Sequence, residues 1–199
     1  MSKLIQILAL QLGGVVNYNE LCNATGFDYK DLLKNLNILI KTFICLESRP
    51  FFTNKKKELV KAPKIFFLDN GFRNFVIKNF QGINNRTDFG QLHENFIASE
   101  IIKNDMELKY WRTKAGAEVD FIIEKENRKI PIEIKSCLKE AKITKSFRNF
   151  LKAYNPKRGF VFSLYLQKEK KLNKLTKINF NPLFNIDNVI KDLQEGVIK

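Results

Sequence analysis

The sequence predicts an α/β (α+β) protein in two parts: a helical N-terminal domain, then a domain ordered α-β-β-β-α-β. Three observations carry this reading. Apolar residues recur at helical spacing as far as Ile40 and then give way to short strand-like runs. The stretch Gln81–Thr87 is polar and has no period, which marks a linker. Beyond it, helical and strand patterns alternate up to Leu166.

The expected domains are therefore 1–80, a linker 81–87, and 88–199. In the first, Leu4, Ile5, Leu8 and Leu12 predict a helix over 2–12, stopped by Gly13-Gly14. Asn17 and Glu20 have the spacing of a capping box and open a short helix to Ala24. Asp28 caps a longer helix to Ile40, with Leu32, Leu33, Leu36 and Leu39 facing inward. Strands follow at 42–47 and 64–68 around the basic loop 49–57, and a helix closes the domain at 72–79. Helix, short helix, turn, helix and hairpin is the order of a winged helix-turn-helix. In the second domain, a helix is expected at 92–103, strands at 107–112, 118–125 and 129–135, a helix at 143–154 and a strand at 159–166. Residues 167–199 give no clear pattern apart from a final helix near 187–194.

With 199 residues, 44% hydrophobic and 12% aromatic, the chain buries a core, which excludes wholesale disorder. No apolar run approaches the roughly 18–20 residues of a membrane span. The N-terminus lacks the apolar stretch and small-residue cleavage site of a signal peptide, so a cytoplasmic location and no membrane partner are expected. Three scattered Cys without a C-x-x-C spacing support neither a zinc knuckle nor a disulfide framework. The single His, His93, excludes a multi-histidine metal site. The net charge of +14 favours polyanionic partners, DNA first among them. Residues 139–177 concentrate it, with 12 basic and 2 acidic side chains.

Chemistry is most concentrated in Glu118-Val119-Asp120-Phe121 and Ile132-Glu133-Ile134-Lys135. If Glu126-Asn127 is a two-residue hairpin loop, Lys125 pairs with Arg128, and Asp120 falls opposite Glu133. Opposed Cβ atoms lie about 4.5–5.5 Å apart. Lys135 shares the face of Glu133, while Val119, Phe121, Ile123, Ile130, Ile132 and Ile134 occupy the other. Two carboxylates that close repel unless a cation intervenes. Oxygen ligands from Asp120, Glu133 and a backbone carbonyl suit Mg²⁺ (or Mn²⁺). Lys135 then orients a water or balances charge on a phosphoryl transition state. Glu94, on the apolar stripe of Ile97, Ala98 and Ile101, needs a partner and is a further candidate ligand. The alternative is an ordinary hairpin face of cross-strand ion pairs.

At these residues the chain resembles the PD-(D/E)XK nuclease superfamily, whose site combines a helix Glu, a strand Asp and a Glu-x-Lys strand. More particularly, Lys64–Phe72, Gly90-Gln91-Leu92-His93-Glu94-Asn95, Tyr110–Phe121 and Pro131–Ser136 look like the winged-helix and nuclease-like C-terminal region of prokaryotic AAA+-type ATPases, a family of poorly defined function. The resemblance covers roughly residues 1–166 and implies a restriction-endonuclease-like core. It assigns Glu94, Asp120, Glu133 and Lys135 to a nuclease-like site, with Mg²⁺ at Asp120, Glu133 and Glu94. It implies an ATPase module as partner, in the same chain or another. Two departures stand out. No G-x-x-x-x-G-K-[ST] occurs, so this chain is not expected to hydrolyse ATP, whether it is a fragment or a stand-alone protein. Tyr154 is present, but Phe150 stands where some of these nucleases carry Gln.

The remaining candidates are contacts to nucleic acid. Arg112 and Lys114 precede the Asp120 strand. Lys139 and Lys142 lead into a helix on which Lys145, Arg148 and Lys152 share one face, either a phosphate-tracking stripe or a solvated surface. Glu118 is expected to partner Lys114. His93 reads as a packing residue and Trp111 as core. Lys55-Lys56-Lys57 form a candidate wing, and Lys30, Lys34 and Lys41 dot the candidate recognition helix. Such a domain serves either DNA or a protein partner.

Overall fold

The computed structural model describes all residues except 54, 55, 57, 59, 60, 173, 174 and 196–199. By internal contact the chain forms two compact units, Met1–Ser99 and Glu100–Lys199.

The first unit opens with helices α1 (Ser2–Leu10), α2 (Tyr18–Thr25) and α3 (Tyr29–Lys41). Asn17 Oδ1 accepts the Glu20 N–H and starts α2, which ends at Gly26 in the left-handed conformation (φ +79°). Asp28 caps α3 through the Asp31 N–H at 2.7 Å. Leu4, Leu8, Leu21, Leu32, Leu36 and Leu39 meet in the core with Cys45, Ile65 and Phe67. Leu33 does not join them: one residue round from Leu32, it leaves the buried stripe and is exposed. Helix α1 ends before the expected residue 12. Gly13, at φ +71°, turns the chain so that its N–H reaches the Ile65 carbonyl. A Cβ there would come 3.1 Å from the Phe66 ring and 3.4 Å from Glu94 Oε2, so this position requires Gly.

Strands β1 (Cys45–Pro50) and β2 (Lys64–Phe67) pair antiparallel, Cys45 opposite Phe67. The first starts later than expected because α3 runs to Lys41 and Phe43 takes a positive φ. Helix α4 (Asn70–Val76) starts earlier than expected, capped by Asp69 through the Phe72 N–H. The order of a winged helix-turn-helix is thus present. Lys30, Lys34, Lys41 and Lys56 are exposed, and Lys55 and Lys57 lie outside the described residues.

Residues 81–87 contain a single 3-10 turn, Ile83–Asn85, and then fold back on this unit. Arg86 donates to the Asn79 carbonyl (2.7 Å), Asn74 Oδ1 (2.9 Å) and Asp88 Oδ1 (2.8 Å). Arg73 ion-pairs with Asp88 and donates to the Ala9 carbonyl. Helix α5 (Phe89–Lys103) then carries the chain onward, and the compact division falls within it. Its Asn95 is fully buried. The side-chain amide accepts the Phe67 N–H (2.7 Å) and donates to the Phe67 carbonyl (2.9 Å), completing the ladder of β2 as another strand would.

The second unit is a mixed six-stranded sheet in the order β3-β4-β5-β6-β8-β7. It comprises β3 (Lys109–Arg112), β4 (Glu118–Lys125), β5 (Arg128–Ile134), β6 (Arg158–Ser163), β7 (Lys168–Lys171) and β8 (Lys177–Pro182), with helices α6 (Lys145–Tyr154) and α7 (Ile186–Glu195). Up to β6 this follows the expected α-β-β-β-α-β order. Strands β3, β4 and β5 are antiparallel neighbours, while β5-β6 and β6-β8 are parallel. Glu126 and Asn127 both take positive φ (48° and 63°), the two-residue turn that matches strand twist. Lys125 pairs with Arg128, as expected. Strands β7 and β8 fill the stretch in which no pattern was clear.

Both faces of the β4-β5 hairpin are buried. Phe121, Ile123 and Ile132 pack on one, and Ile122, Pro131 and Glu133 on the other. Helix α6 packs against both strands. A Cβ at Gly159 would come within 3.0–3.2 Å of Phe147, Ile178 and Pro131, which fixes how closely this helix approaches the sheet.

In the first unit, the hydrogen bond from Arg86, helped by Arg73, holds the Asp88 carboxyl well below the usual carboxylate range. Its contribution to stability is in place above the unfolded value of about pH 4 and is lost as pH falls toward the folded value. Asp88→Asn leaves two buried guanidinium groups short of a counter-charge. It is expected to cost about 3 kcal/mol at pH 7 in urea unfolding, with a gap to wild type that narrows below about pH 4.

Candidate functional site

The site in the second unit starts from the hairpin register. Phe121 pairs with Ile132, so the next positions outward are Asp120 and Glu133, on the face shared by Ile122 and Pro131. Asp120 is half-buried, and its Oδ2 accepts the backbone N–H of Ile134 at 2.7 Å. This bond ties one acid to the strand that carries the other.

Glu133 is 3% exposed. Its Oε1 accepts the Thr144 hydroxyl at 2.8 Å and lies 3.4 Å from Lys135 Nζ. Its Oε2 is buried with no hydrogen-bond partner. Burial pushes the Glu133 pKa up, Lys135 and the Thr144 hydrogen bond oppose this, and the Asp120 charge adds to the rise. A carboxylate so placed lacks positive charge on one oxygen. Lys135 stands at the rim, its side chain 41% exposed, while its backbone N–H extends the pairing of β5 with β6 through the Phe162 carbonyl (2.8 Å).

An oxygen-only donor set with one buried, unpartnered carboxylate oxygen fits a hard divalent cation such as Mg²⁺ or Mn²⁺. The second unit offers Asp120 and Glu133 for it. Among the described residues no group of three or more His, Cys, Asp or Glu side chains has the closeness of a cation site. Glu94 belongs to the first unit, half-buried on α5, with Oε2 beside Gly13.

Lys142, Lys145, Arg148 and Lys152 are all exposed, the last three on the outer face of α6. Lys142 pairs with Glu140 at 2.9 Å. Arg112 and Lys114 are exposed beside the start of β4. Glu118 pairs with Arg112 (3.6 Å), not with the expected Lys114, because Arg112 is its register partner across β3-β4 whereas Lys114 sits in the loop. His93 is buried edge-on against Phe89, which pushes its pKa down and makes it a packing residue. Trp111 is core, packed edge-on against Phe150 and Tyr154.

Thr144 is the residue that sequence reasoning missed. A Thr just before an amphipathic helix signals an N-cap, and Thr144 is the cap of α6. Its bond to Glu133 spans eleven positions and follows only from the packing of α6 on β5. Lys109 is a second omission. It is buried in β3, with its ammonium 2.6 Å from Glu124 on the neighbouring strand.

Comparison with known families finds two matches. Residues 89–183 are similar to a domain of unknown function (DUF4143), and residues 1–83 to a second domain of unknown function (DUF8612). No curated protein matches. Among solved structures, the crystal structure of protein VC1899 from Vibrio cholerae is similar, with 13% identity and a TM-score of 0.31. The alignment covers 96% of this chain and 49% of that one, so the chain spans about half the length of that protein. No helix among the described residues is long and apolar enough to cross a membrane.

A buried carboxyl with a raised pKa favours folding while it is neutral. That advantage is complete below the unfolded value of about 4.3 and fades as pH rises through the folded value. In chelator, wild type is therefore expected to lose thermal stability as pH rises above the unfolded value and through the raised folded one. Glu133→Gln should keep its melting temperature over that range and melt above wild type at pH 8. A variant that melts lower throughout would show that the carboxylate is already compensated.

Proposed function

We propose that the second unit is a metal-dependent phosphodiesterase acting on DNA, of the nuclease-like kind that the sequence resembles. The observation that supports this is the buried Glu133 carboxylate with an unpartnered oxygen, next to Asp120 and 3.4 Å from Lys135. In this reading Asp120 and Glu133 hold Mg²⁺ or Mn²⁺. When bound, such an ion polarises a phosphoryl oxygen and lowers the pKa of a water. Lys135 orients the attacking water from the rim and places positive charge where negative charge accumulates on the phosphoryl group. A contribution from Glu94 rests on the resemblance alone.

The exposed face of α6 (Lys145, Arg148, Lys152), with Lys142, Arg112 and Lys114, supplies contacts to the phosphate backbone. Such contacts position DNA without reading its sequence. The resemblance adds an ATPase module as partner, since this sequence has no phosphate-binding loop of its own.

A second reading is a module that binds DNA or docks a protein without cleaving. Phe150 favours it: where some of these nucleases carry Gln, this chain has a fully buried ring packed on Trp111 and Tyr154. That turn of α6 contributes packing where the related enzymes place a polar group.

The deciding experiment is cleavage of supercoiled, single-stranded and branched DNA with Mg²⁺ or Mn²⁺. Asp120→Ala, Glu133→Ala and Lys135→Ala are each expected to lower the rate by at least about 100-fold with folding intact. DNA binding without cleavage in wild type would overturn the catalytic reading in favour of the second.

Replacing Lys145, Arg148 and Lys152 together by Ala should weaken DNA binding across all sequences. It should also flatten the plot of log affinity against log salt by about 2–3, close to one per lost phosphate contact. An unchanged slope would make the α6 face a solvated surface.

A further inference from the structure

We infer that Thr144 is a positioning residue for Glu133, holding one carboxylate oxygen so that the other is presented to the cation. The inference rests on the metal-site reading above. Thr144 stands at the N-cap of α6 in an extended conformation (φ −70°, ψ 166°). Its Oγ1 accepts the Phe147 N–H at 3.1 Å and donates to Glu133 Oε1 at 2.8 Å. A hydroxyl has one proton. With the Phe147 N–H occupying a lone pair, that proton is directed to Oε1. The carboxylate then has one oxygen engaged and one, Oε2, buried and without a hydrogen-bond partner.

The support for Thr144 is rigid. Phe147, which donates to it, is fully buried, and its ring would lie 3.0 Å from a Cβ at Gly159. Because Gly159 carries no Cβ, the Phe147 ring can pack close to β6, and this contact seats the start of α6, with the Thr144 hydroxyl, over β5. Lys135 approaches the same Oε1, at 3.4 Å, and is half-exposed. Lys135 thus supplies charge at Oε1 from a longer range, and the shorter Thr144 hydrogen bond supplies direction. Groups that orient a ligand through a hydrogen bond change metal affinity about 10–100-fold when removed.

The test is Mn²⁺ titration of the full chain by calorimetry, with melting temperatures recorded with and without the ion. Thr144→Val is expected to bind Mn²⁺ about 10-fold more weakly than wild type. Thr144→Ser, which keeps the hydroxyl, should restore affinity to within about twofold. Loss of the helix cap lowers the metal-free melting temperature of Thr144→Val in any case, so Mn²⁺ affinity is the deciding readout. Should Thr144→Val not fold, Thr144→Gly is tolerated at an N-cap, offers no side-chain donor and is expected to show the same loss of affinity. Wild-type affinity in a folded Val or Gly variant would overturn the inference and reduce Thr144 to a cap. Absence of Mn²⁺ binding in wild type would overturn the metal reading as well, and the wild-type titration alone tells the two failures apart.

Discussion

Taking a carboxylate out of water costs several kcal/mol unless partners replace the solvent. Glu133 meets that cost only in part, with one hydroxyl and one ammonium on Oε1 and nothing on Oε2. Much of the second unit follows from keeping this group where it is. The turn at Glu126-Asn127 sets the register that brings Asp120 beside it. The Ile134 N–H engages Asp120 and so links the two acids through one strand. Thr144 carries the connection to α6, whose outer face bears the cations. Turn, hairpin, acid pair and basic helix thus form one continuous arrangement, in which a shift at any point moves the others.

The first unit meets the same problem around Asp88 and Asn95 with paired groups. Asp88 sits between Arg73 and Arg86, and the rest of the Arg86 guanidinium is taken up by Asn79 and Asn74. Asn95 supplies both a donor and an acceptor to Phe67 and also donates to Asn70 Oδ1. These networks staple 79–95 onto the helices that precede them. Among the described residues Glu133 Oε2 shares the lack of a partner with Ser48 Oγ and Asn179 Oδ1, but it alone of the three belongs to a side chain that can carry a full charge.

The parts of the fold legible in the sequence are those governed by local rules. The caps Asn17 and Asp28 mark helix starts because a short polar side chain satisfies nearby N–H groups. The hairpin register is readable because two residues of left-handed backbone between alternating strands leave a single pairing. What was not legible depends on distant neighbours. Strand β7 is Lys168-Glu169-Lys170-Lys171, exposed throughout, and has no apolar period to reveal it. It is an edge strand, and charge is what protects such an edge from further pairing. Strand β8 alternates only Ile178 and Phe180 before Pro182, too short a signal on its own. Leu33 looks apolar enough for the core, yet the stripe set by Leu32, Leu36 and Leu39 leaves it outside. In the candidate site, the register from Lys125-Arg128 up to Phe121-Ile132, one position short of Asp120 and Glu133, was readable by counting along two strands. The role of Thr144 was not, since it needs the third dimension.

The tight turn has a consequence for how the length of this chain can vary. Side chains alternate with period two, so adding or losing one residue within either strand between its acid and the turn would turn that acid to the opposite face of the sheet while leaving the hairpin itself foldable. Changes of two residues, one in each strand, would preserve the facing. The segment 121–132 therefore acts as a parity lock. In natural or engineered forms of this protein, length changes within these strands that keep the site should come in even steps.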